Sequence, residues 1–174
     1  MISVIAGTNR PDSNSLKFAE YYIHLLKEKG VETNLIDLNK LPETYIFSAL
    51  YDHQGKNSEF NKIKELVLQS DKFVFIVPEY NGSFPGVLKA FIDGLDYPGS
   101  FKDKKGALIG ISSGVMGGSL ALSHLTDILN YLGLHVLALK PRITRIEKNF
   151  IDGEVLDTVA KELINQQVNA LLTF

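Results

Sequence analysis

Two hydrophobic periods alternate along the chain. Ile2–Ala6 is a short apolar run ended by Gly7, which predicts a buried strand. Residues 15–29 then take helical spacing. Leu16, Ala19, Tyr22, Ile23 and Leu26 recur at steps of three or four, while Lys17, Glu20, Lys27 and Glu28 face elsewhere. Gly30 predicts the stop of that helix. Residues 32–38 read as a second strand, more polar and so nearer a sheet edge. From 39 to 57 the period dissolves around Pro42 and Gly55. That predicts a long loop carrying Tyr45, Ile46, Phe47, Leu50 and Tyr51, of a length often tied to function. Ser58 is placed to cap a helix reaching about residue 70. Residues 72–77 form the clearest buried strand, ended by Pro78. Residues 84–95 predict a short helix with Pro85 in its first turn. A fourth strand follows at 107–112, a helix closed by Gly133 at 119–132, a fifth strand at 135–139, and a final helix within 153–172.

The order is strand then helix, five times, without internal repeats. Near-continuous apolar strands alternating with amphipathic helices require a parallel sheet covered on both faces. At 174 residues this predicts one domain, 1–174, of α/β class: a flavodoxin-like, doubly wound, five-stranded parallel sheet with helices on both faces. Ligands of such sheets lie beyond the carboxyl ends of the strands, where strand order reverses. The loops after strands one, three and four are therefore the places to look for chemistry.

Composition narrows the choice. Hydrophobic residues make up 45 % and charged residues 22 %, which excludes a disordered or collagen-like chain. Eighteen basic against 20 acidic residues leave a formal charge of −2. That balance argues against a nucleic-acid partner and against a strongly acidic electron carrier. The absence of Cys removes disulfides, thiolate catalysis, iron–sulfur clusters and zinc-thiolate sites. The opening apolar run is too short for a signal peptide, and no run reaches the roughly 18 apolar residues of a membrane span. The expectation is a cytoplasmic protein with no membrane partner.

The first loop, Gly7-Thr8-Asn9-Arg10-Pro11-Asp12-Ser13-Asn14-Ser15, runs into a helix. Hydroxyls of Thr8, Ser13 and Ser15, the amide of Asn14, the guanidinium of Arg10 and the free N–H groups of the helix start together suit a phosphate monoester. The same loop also reads as a polar turn with Ser13 as the helix cap. It is neither the dinucleotide fingerprint nor the triphosphate-binding loop. The second loop, Pro78-Glu79-Tyr80-Asn81-Gly82-Ser83-Phe84-Pro85-Gly86, offers the flat face of Tyr80. Asn81 and Gly82 there permit a close main-chain approach to a planar heterocycle. A capped turn with a packed Tyr is the alternative. The third loop, residues 112–118, sets Gly114, Gly117 and Gly118 before a helix and also reads as a flexible connection. The conjunction of the three at one crevice says more than any one of them.

On these residues the chain resembles the NADPH-dependent FMN reductase family of flavodoxin-like flavin, quinone, azo-dye and chromate reductases. The first loop is similar to the family's Gly-Ser-x-Arg-x-x-Ser phosphate turn, with Thr8 keeping the hydroxyl of the usual Ser. Pro78 to Ser83, followed by Pro85-Gly86-Val87-Leu88-Lys89, is the most specific match. Residues 112–118 resemble the third flavin loop, and the order of elements agrees over nearly the whole chain. The resemblance implies that Thr8, Arg10, Ser13, Asn14 and Ser15 hold the FMN phosphate. It implies that Pro78, Glu79, Tyr80, Asn81 and Gly82 border the isoalloxazine, and that Ser113, Gly114 and Gly117 approach its pyrimidine side. The chain departs from many relatives near Gly94-Leu95-Asp96-Tyr97, where they carry Trp and this chain has none. A homodimer or homotetramer is implied by the resemblance alone.

The expected activity is hydride transfer from NADPH or NADH, through FMN, to a small-molecule electron acceptor: a quinone, an azo compound, free flavin or a metal oxyanion. The flavin carries the chemistry, no side chain is required as nucleophile or base, and both substrates use one flavin face in ping-pong order. Two rivals share the fold: a flavodoxin-type electron carrier without its own turnover, and a receiver domain. The carrier's Thr-Gly-Asn-Thr phosphate turn and the receiver's acidic cluster after strand one are both missing. His24, His53, His124 and His135 have no metal-ligand spacing. Asp93 and Asp96 read as ion-pair residues rather than as acid–base partners of Glu79. Tyr45, Phe47 and Tyr51 read either as packing or as cover for a partner's flavin. Lys102-Asp103-Lys104-Lys105 reads as a solvated turn or as an attractor for nicotinamide phosphates.

Overall fold

A computed structural model describes residues 1–174. Strands β1 (Ile2–Ala6), β2 (Thr33–Asp37), β3 (Lys72–Pro78), β4 (Lys105–Ile111) and β5 (His135–Val136) lie in the order β2-β1-β3-β4-β5. All neighbours are parallel, and β3 and β4 stay in register from Lys72↔Lys105 to Pro78↔Ile111. Strand order reverses between β1 and β3, so the crevice predicted from the sequence opens there. The period of two along each buried strand feeds two cores. Ile5, Phe73, Phe75, Val77 and Leu108 face one side. They pack with residues of α3 (Ser58–Leu68), α4 (Gly86–Asp93) and α5 (Ser119–Tyr131). Ile2, Val4, Ala6, Val74, Ile76, Ala107 and Ile109 face the other, under α1 (Asn14–Glu28) and α7 (Thr158–Thr173). No helix is long and apolar enough to cross a membrane.

Several expectations are corrected. Helix α3 is capped by Asn57, whose Oδ1 accepts from Phe60 N–H at 3.0 Å, so Ser58 is its first residue and not its cap. Helix α4 is shorter than 84–95, because extended Pro85 is its N-cap and Gly94 its C-cap. A Cβ on Gly94 would come within 2.6 Å of the Phe60 ring. Residues 39–57 are not an open loop. They hold α2 (Tyr45–Ser48) between single 3-10 turns at Leu38–Lys40 and Tyr51–His53, and Leu38, Tyr45, Ala49 and Leu50 are buried. Tyr45 stacks on Phe60 at 5.7 Å and donates its hydroxyl to Val87 O at 3.1 Å.

The fifth strand position is split. β5 pairs with the start of β4, and β6 (Arg142–Ile143) pairs with its end. Five residues, 137–141, stand opposite three, 107–109, so the ladder bulges. Buried Gln167 of α7 fills the gap, donating from Nε2 to Leu108 O at 2.9 Å and Leu139 O at 2.8 Å. Beyond β6 come α6 (Ile146–Asn149) and a hairpin of β7 (Phe150–Ile151) and β8 (Glu154–Val155). Neither was foreseen, and α7 begins only at Thr158, capped by Asp157.

Candidate active site

A cavity of about 480 Å³ opens beyond the carboxyl ends of β1, β3 and β4. Its first wall is Thr8, Arg10, Pro11, Asp12, Ser13, Asn14 and Ser15. Its second is Pro78, Glu79 and Tyr80, and its third is Ile111, Ser112 and Ser113, backed by Ile146 and Glu147 of α6. Gly7 lets β1 close on β3 at the mouth. Its N–H donates to Ile76 O at 2.9 Å, and a Cβ there would lie 2.7 Å from that oxygen.

The first wall is built around the start of α1. Ser13 is its N-cap, accepting from Leu16 N–H at 3.1 Å, which leaves the hydroxyl proton free to donate. The first N–H groups of α1 have no helical acceptor, and no acidic residue occupies its first turn. The Ser13 cap of the polar-turn reading is present, and it leaves these donors without an acceptor inside the helix. Thr8 is buried, accepts from Arg10 N–H at 3.3 Å, and shares a 2.7 Å hydrogen bond with the Tyr80 hydroxyl. That bond ties the first loop to the second.

The second loop is a tight hairpin. Tyr80 and Ser83 exchange main-chain hydrogen bonds at 2.7 and 3.1 Å around Asn81 and Gly82, whose φ values are +52° and +76°. This is the Asn-Gly turn chemistry expected of two left-handed residues in succession. Glu79 Oε1 accepts from Gly82 N–H at 3.3 Å. Asn81 and Gly82 thus shape the turn without lining the cavity. Ser83 Oγ lies 2.9 Å from His124 Nδ1, which pins the turn to α5.

In the third loop Ser112 Oγ donates to Gly114 O at 3.1 Å and accepts from Gly117 N–H at 3.0 Å. Gly114 and Gly117 do not line the cavity; they let the loop fold back. Gly117 has φ +58°, and a Cβ on Gly110 would lie 2.2 Å from Gly117 O. Main-chain N–H groups of Arg145 and Ile146 donate to Gly114 O and Ser112 O at 2.9 and 3.0 Å. They bring Glu147 over the pocket, where its Oε1 accepts from Ser113 Oγ at 2.6 Å. Glu147 is exposed; the Ser113 bond, helped by the residue's own N–H, holds its carboxyl below the ordinary range.

Pro11, Asp12, Ile111 and Ser112 also line the cavity without having been assigned to it, and Ile146 and Glu147 lie outside every segment the sequence had singled out. The available signal was topological, since the connection after the fifth strand ends at the same sheet edge as the three loops that were read. A second cavity of about 540 Å³ lies across Tyr80, between Asn9, the segment around Leu41, Tyr45 and Ile46, and Pro85 to Val87. Other residues singled out in the sequence are engaged away from the first cavity or exposed. Asp93 pairs with Lys89 at 2.7 Å and Asp96 with Lys64 at 2.8 Å. His24 lies 3.4 Å from Glu28. Tyr45 is core, whereas Phe47 and Tyr51 are exposed. Lys102 and Asp103 form an exposed turn, as one sequence reading had it, while the ammonium groups of Lys104 and Lys105 are bound to carbonyls at the sheet edge opposite the cavity.

The description "NADPH-dependent FMN reductase" belongs to a family model that matches residues 1–140. The chain is 32 % identical to the NAD(P)H-dependent FMN reductase PA1204 of Pseudomonas aeruginosa, over 91 % of this chain and 90 % of that protein. It is also 32 % identical to a 2-hydroxy-1,4-benzoquinone reductase of Burkholderia, over 87 % and 82 %. Among solved structures, FerB of Paracoccus denitrificans, a flavoenzyme NAD(P)H:(acceptor) oxidoreductase, superposes with a TM-score of 0.79 at 28 % identity. That match covers 99 % of this chain and 94 % of that one.

Proposed function

The chain belongs to the NADPH-dependent FMN reductase family, and on that footing we propose that the cavity beyond β1, β3 and β4 is its FMN site. Thr8, Arg10, Ser13, Asn14 and Ser15 take the phosphate. Pro78, Glu79 and Tyr80 border the ring, with Asn81 and Gly82 shaping the turn that holds them, and Ser113 approaches its pyrimidine side from a loop that Gly114 and Gly117 fold back. One observation carries this reading: a guanidinium, several hydroxyls and the start of α1 meet a tyrosine wall in a single cavity. The donor set fits a phosphate monoester. Hydrogen bonds to a charged group contribute about 1.5–3 kcal/mol each, so three or four anchor it.

Bound FMN supplies two-electron hydride chemistry between a reduced nicotinamide, NADPH or NADH, and an acceptor. The protein's part is to bind, orient and stabilise charge. Thr8 and Tyr80 hold the two loops at a fixed separation. The Asn81–Gly82 turn presents main chain rather than an acid or base, and the third loop contributes preorganised N–H groups where negative charge develops. Neither Glu79 nor His124 is needed to move a proton. Their hydrogen bonds to Gly82 and Ser83 hold the turn.

The acceptor is a small molecule of the quinone, azo, free-flavin or metal-oxyanion type, and donor and acceptor use one face in turn. A site read mostly by main chain discriminates weakly among such rings. All 174 residues act as one unit, working as a homodimer or homotetramer; exposed Tyr97 and Tyr131, stacked at 6.4 Å beside an apolar groove, suit burial against a second copy. Anaerobic addition of NADPH or NADH to the FMN-loaded protein tests the reading. Rapid bleaching of the yellow colour is expected, followed by recovery with a quinone. Flavin that binds and stays oxidised assigns the chain to electron carriage instead. Steady-state plots against both substrates are expected to be parallel, and intersecting lines contradict use of one face.

A further inference from the structure

Residues 39–57 carry no recognisable motif and take no part in the first cavity, yet the fold fixes them beside it. Leu38, Tyr45, Ala49 and Leu50 are buried, and Tyr45 is fastened by its ring to Phe60 and by its hydroxyl to Val87 O. The anchored segment walls the second cavity. Its volume of about 540 Å³ lies within the roughly 300–1,000 Å³ of small-molecule sites. Leu41, Pro42, Tyr45, Ile46 and Val87 give it a largely apolar lining. No Lys, Arg or His lines it, and its one charge is the exposed Glu43 carboxylate. The two cavities are neighbours. Tyr80 lines both, and Asn9 of the second stands in sequence between Thr8 and Arg10 of the first. The partition is the Tyr80 side chain, held by its 2.7 Å hydrogen bond to Thr8.

We propose that the second cavity is an acceptor subsite, which takes the non-reacting ring of an uncharged aromatic acceptor while the reacting ring lies in the first cavity. Charge selects this occupant. A nucleotide's phosphates would meet the Glu43 carboxylate with no cation to offset it, and a metal oxyanion would fare no better. A neutral ring instead removes apolar surface from water on both sides as it enters. Main chain around the flavin discriminates weakly among acceptors, so the anchored segment supplies the discrimination and favours two-ring over one-ring quinones. Ile46 is the residue that exposes this most cleanly. It lines the second cavity, is half exposed on α2 and has no place in the first cavity, so it determines specificity and is not catalytic. The inference rests on the FMN reading of the first cavity.

The test uses the FMN-loaded protein and separates its two half-reactions by stopped flow. Reoxidation of the reduced protein is followed with 1,4-benzoquinone and with menadione, in which a second ring is fused to the reacting one. Wild type, Ile46→Asn and Ile46→Asp are compared. Asn makes the apolar wall polar, and Asp adds a charge to it. Ile46→Asp is expected to lower the second-order rate constant for menadione about tenfold, while benzoquinone and reduction by NADPH stay within about twofold of wild type. Ile46→Asn is expected to act in the same direction and less strongly, and both variants are expected to keep the wild-type FMN Kd. Equal slowing of the two quinones, or no change in either, overturns the proposal. Slower reduction by NADPH with reoxidation unchanged gives the cavity to the donor and overturns it too. A folded wild-type chain that takes up no FMN is a distinct result, which removes the FMN reading itself.

Discussion

The two edges of the sheet treat helix ends in opposite ways. At the amino edge the chain closes on itself. Lys72 Nζ donates to Leu171 O and Leu172 O at 2.8 and 3.0 Å, and Lys104 Nζ to Val67 O and Leu68 O at 3.1 and 3.2 Å. Lys105 Nζ reaches Phe174 O, and the terminal ammonium of Met1 meets Asp71 at 3.1 Å. Cations there cap the last carbonyls of α3 and α7, as the helix dipole favours. At the carboxyl edge the start of α1 carries no acidic residue in its first turn, and the Ser13 hydroxyl keeps its proton. Donors held open at one edge and satisfied internally at the other are what separate a binding surface from a structural one. The fold is the same on both sides; the side chains at the helix ends make the difference.

Variants can break or sharpen that contrast. Replacing Arg10 by Ala is expected to raise the FMN Kd by about tenfold to a hundredfold, since it removes a charge-assisted bond of roughly 1.5–3 kcal/mol. Denaturant unfolding without ligand is expected to change little, because Arg10 is exposed at the cavity rim. A comparable loss of stability would move Arg10 into the structural class. Gly7→Ala strikes both properties at once. Its methyl would sit 2.7 Å from Ile76 O and 3.3 Å from the Leu88 side chain. The expectation is a destabilisation of about 1–3 kcal/mol in urea, together with weaker FMN binding.

Lys104→Met is the converse probe. It is expected to lower stability by about 1 kcal/mol or less while leaving the FMN Kd unchanged. A changed Kd would mean that the two edges communicate. Burial holds the Lys104 and Lys72 ammonium groups below the usual lysine value of 10.5. The folded state therefore loses these protons before the unfolded state does. Stability contributed at these sites rises with pH between the depressed values and 10.5, and the variant carrying both Lys72→Met and Lys104→Met flattens that slope in pH-dependent urea melts. The smallest effect is at Glu147. Its carboxyl lies below the ordinary 4.5, so its contribution to stability is complete above that pH and is lost as pH falls through the folded value. Glu147→Gln is expected to show a slightly shallower acid transition in circular dichroism.

What the sequence disclosed follows from periodicity. The parallel sheet, its edge strand and the three loops at its carboxyl end were legible because buried strands read as continuous apolar runs. The Asn81–Gly82 turn was legible because few residue pairs tolerate two positive φ values. Residues 39–57 were misread because Leu38, Tyr45, Ala49 and Leu50 anchor single turns, too short to establish a period. The split fifth strand was hidden for a related reason. Gln167, distant in sequence, satisfies the carbonyls that the bulge leaves, and nothing local announces it. Glu147 escaped because its place in the cavity depends on meeting Ser113, 34 residues away.

The central claim is that this cavity holds FMN with its phosphate at the start of α1. A crystal structure of the protein grown with FMN tests it most directly. The account predicts phosphate oxygens about 3 Å from the first N–H groups of α1 and from Arg10, with the ring beside Tyr80. Flavin bound elsewhere, or seated here with its phosphate turned away from Arg10 and Ser13, contradicts it.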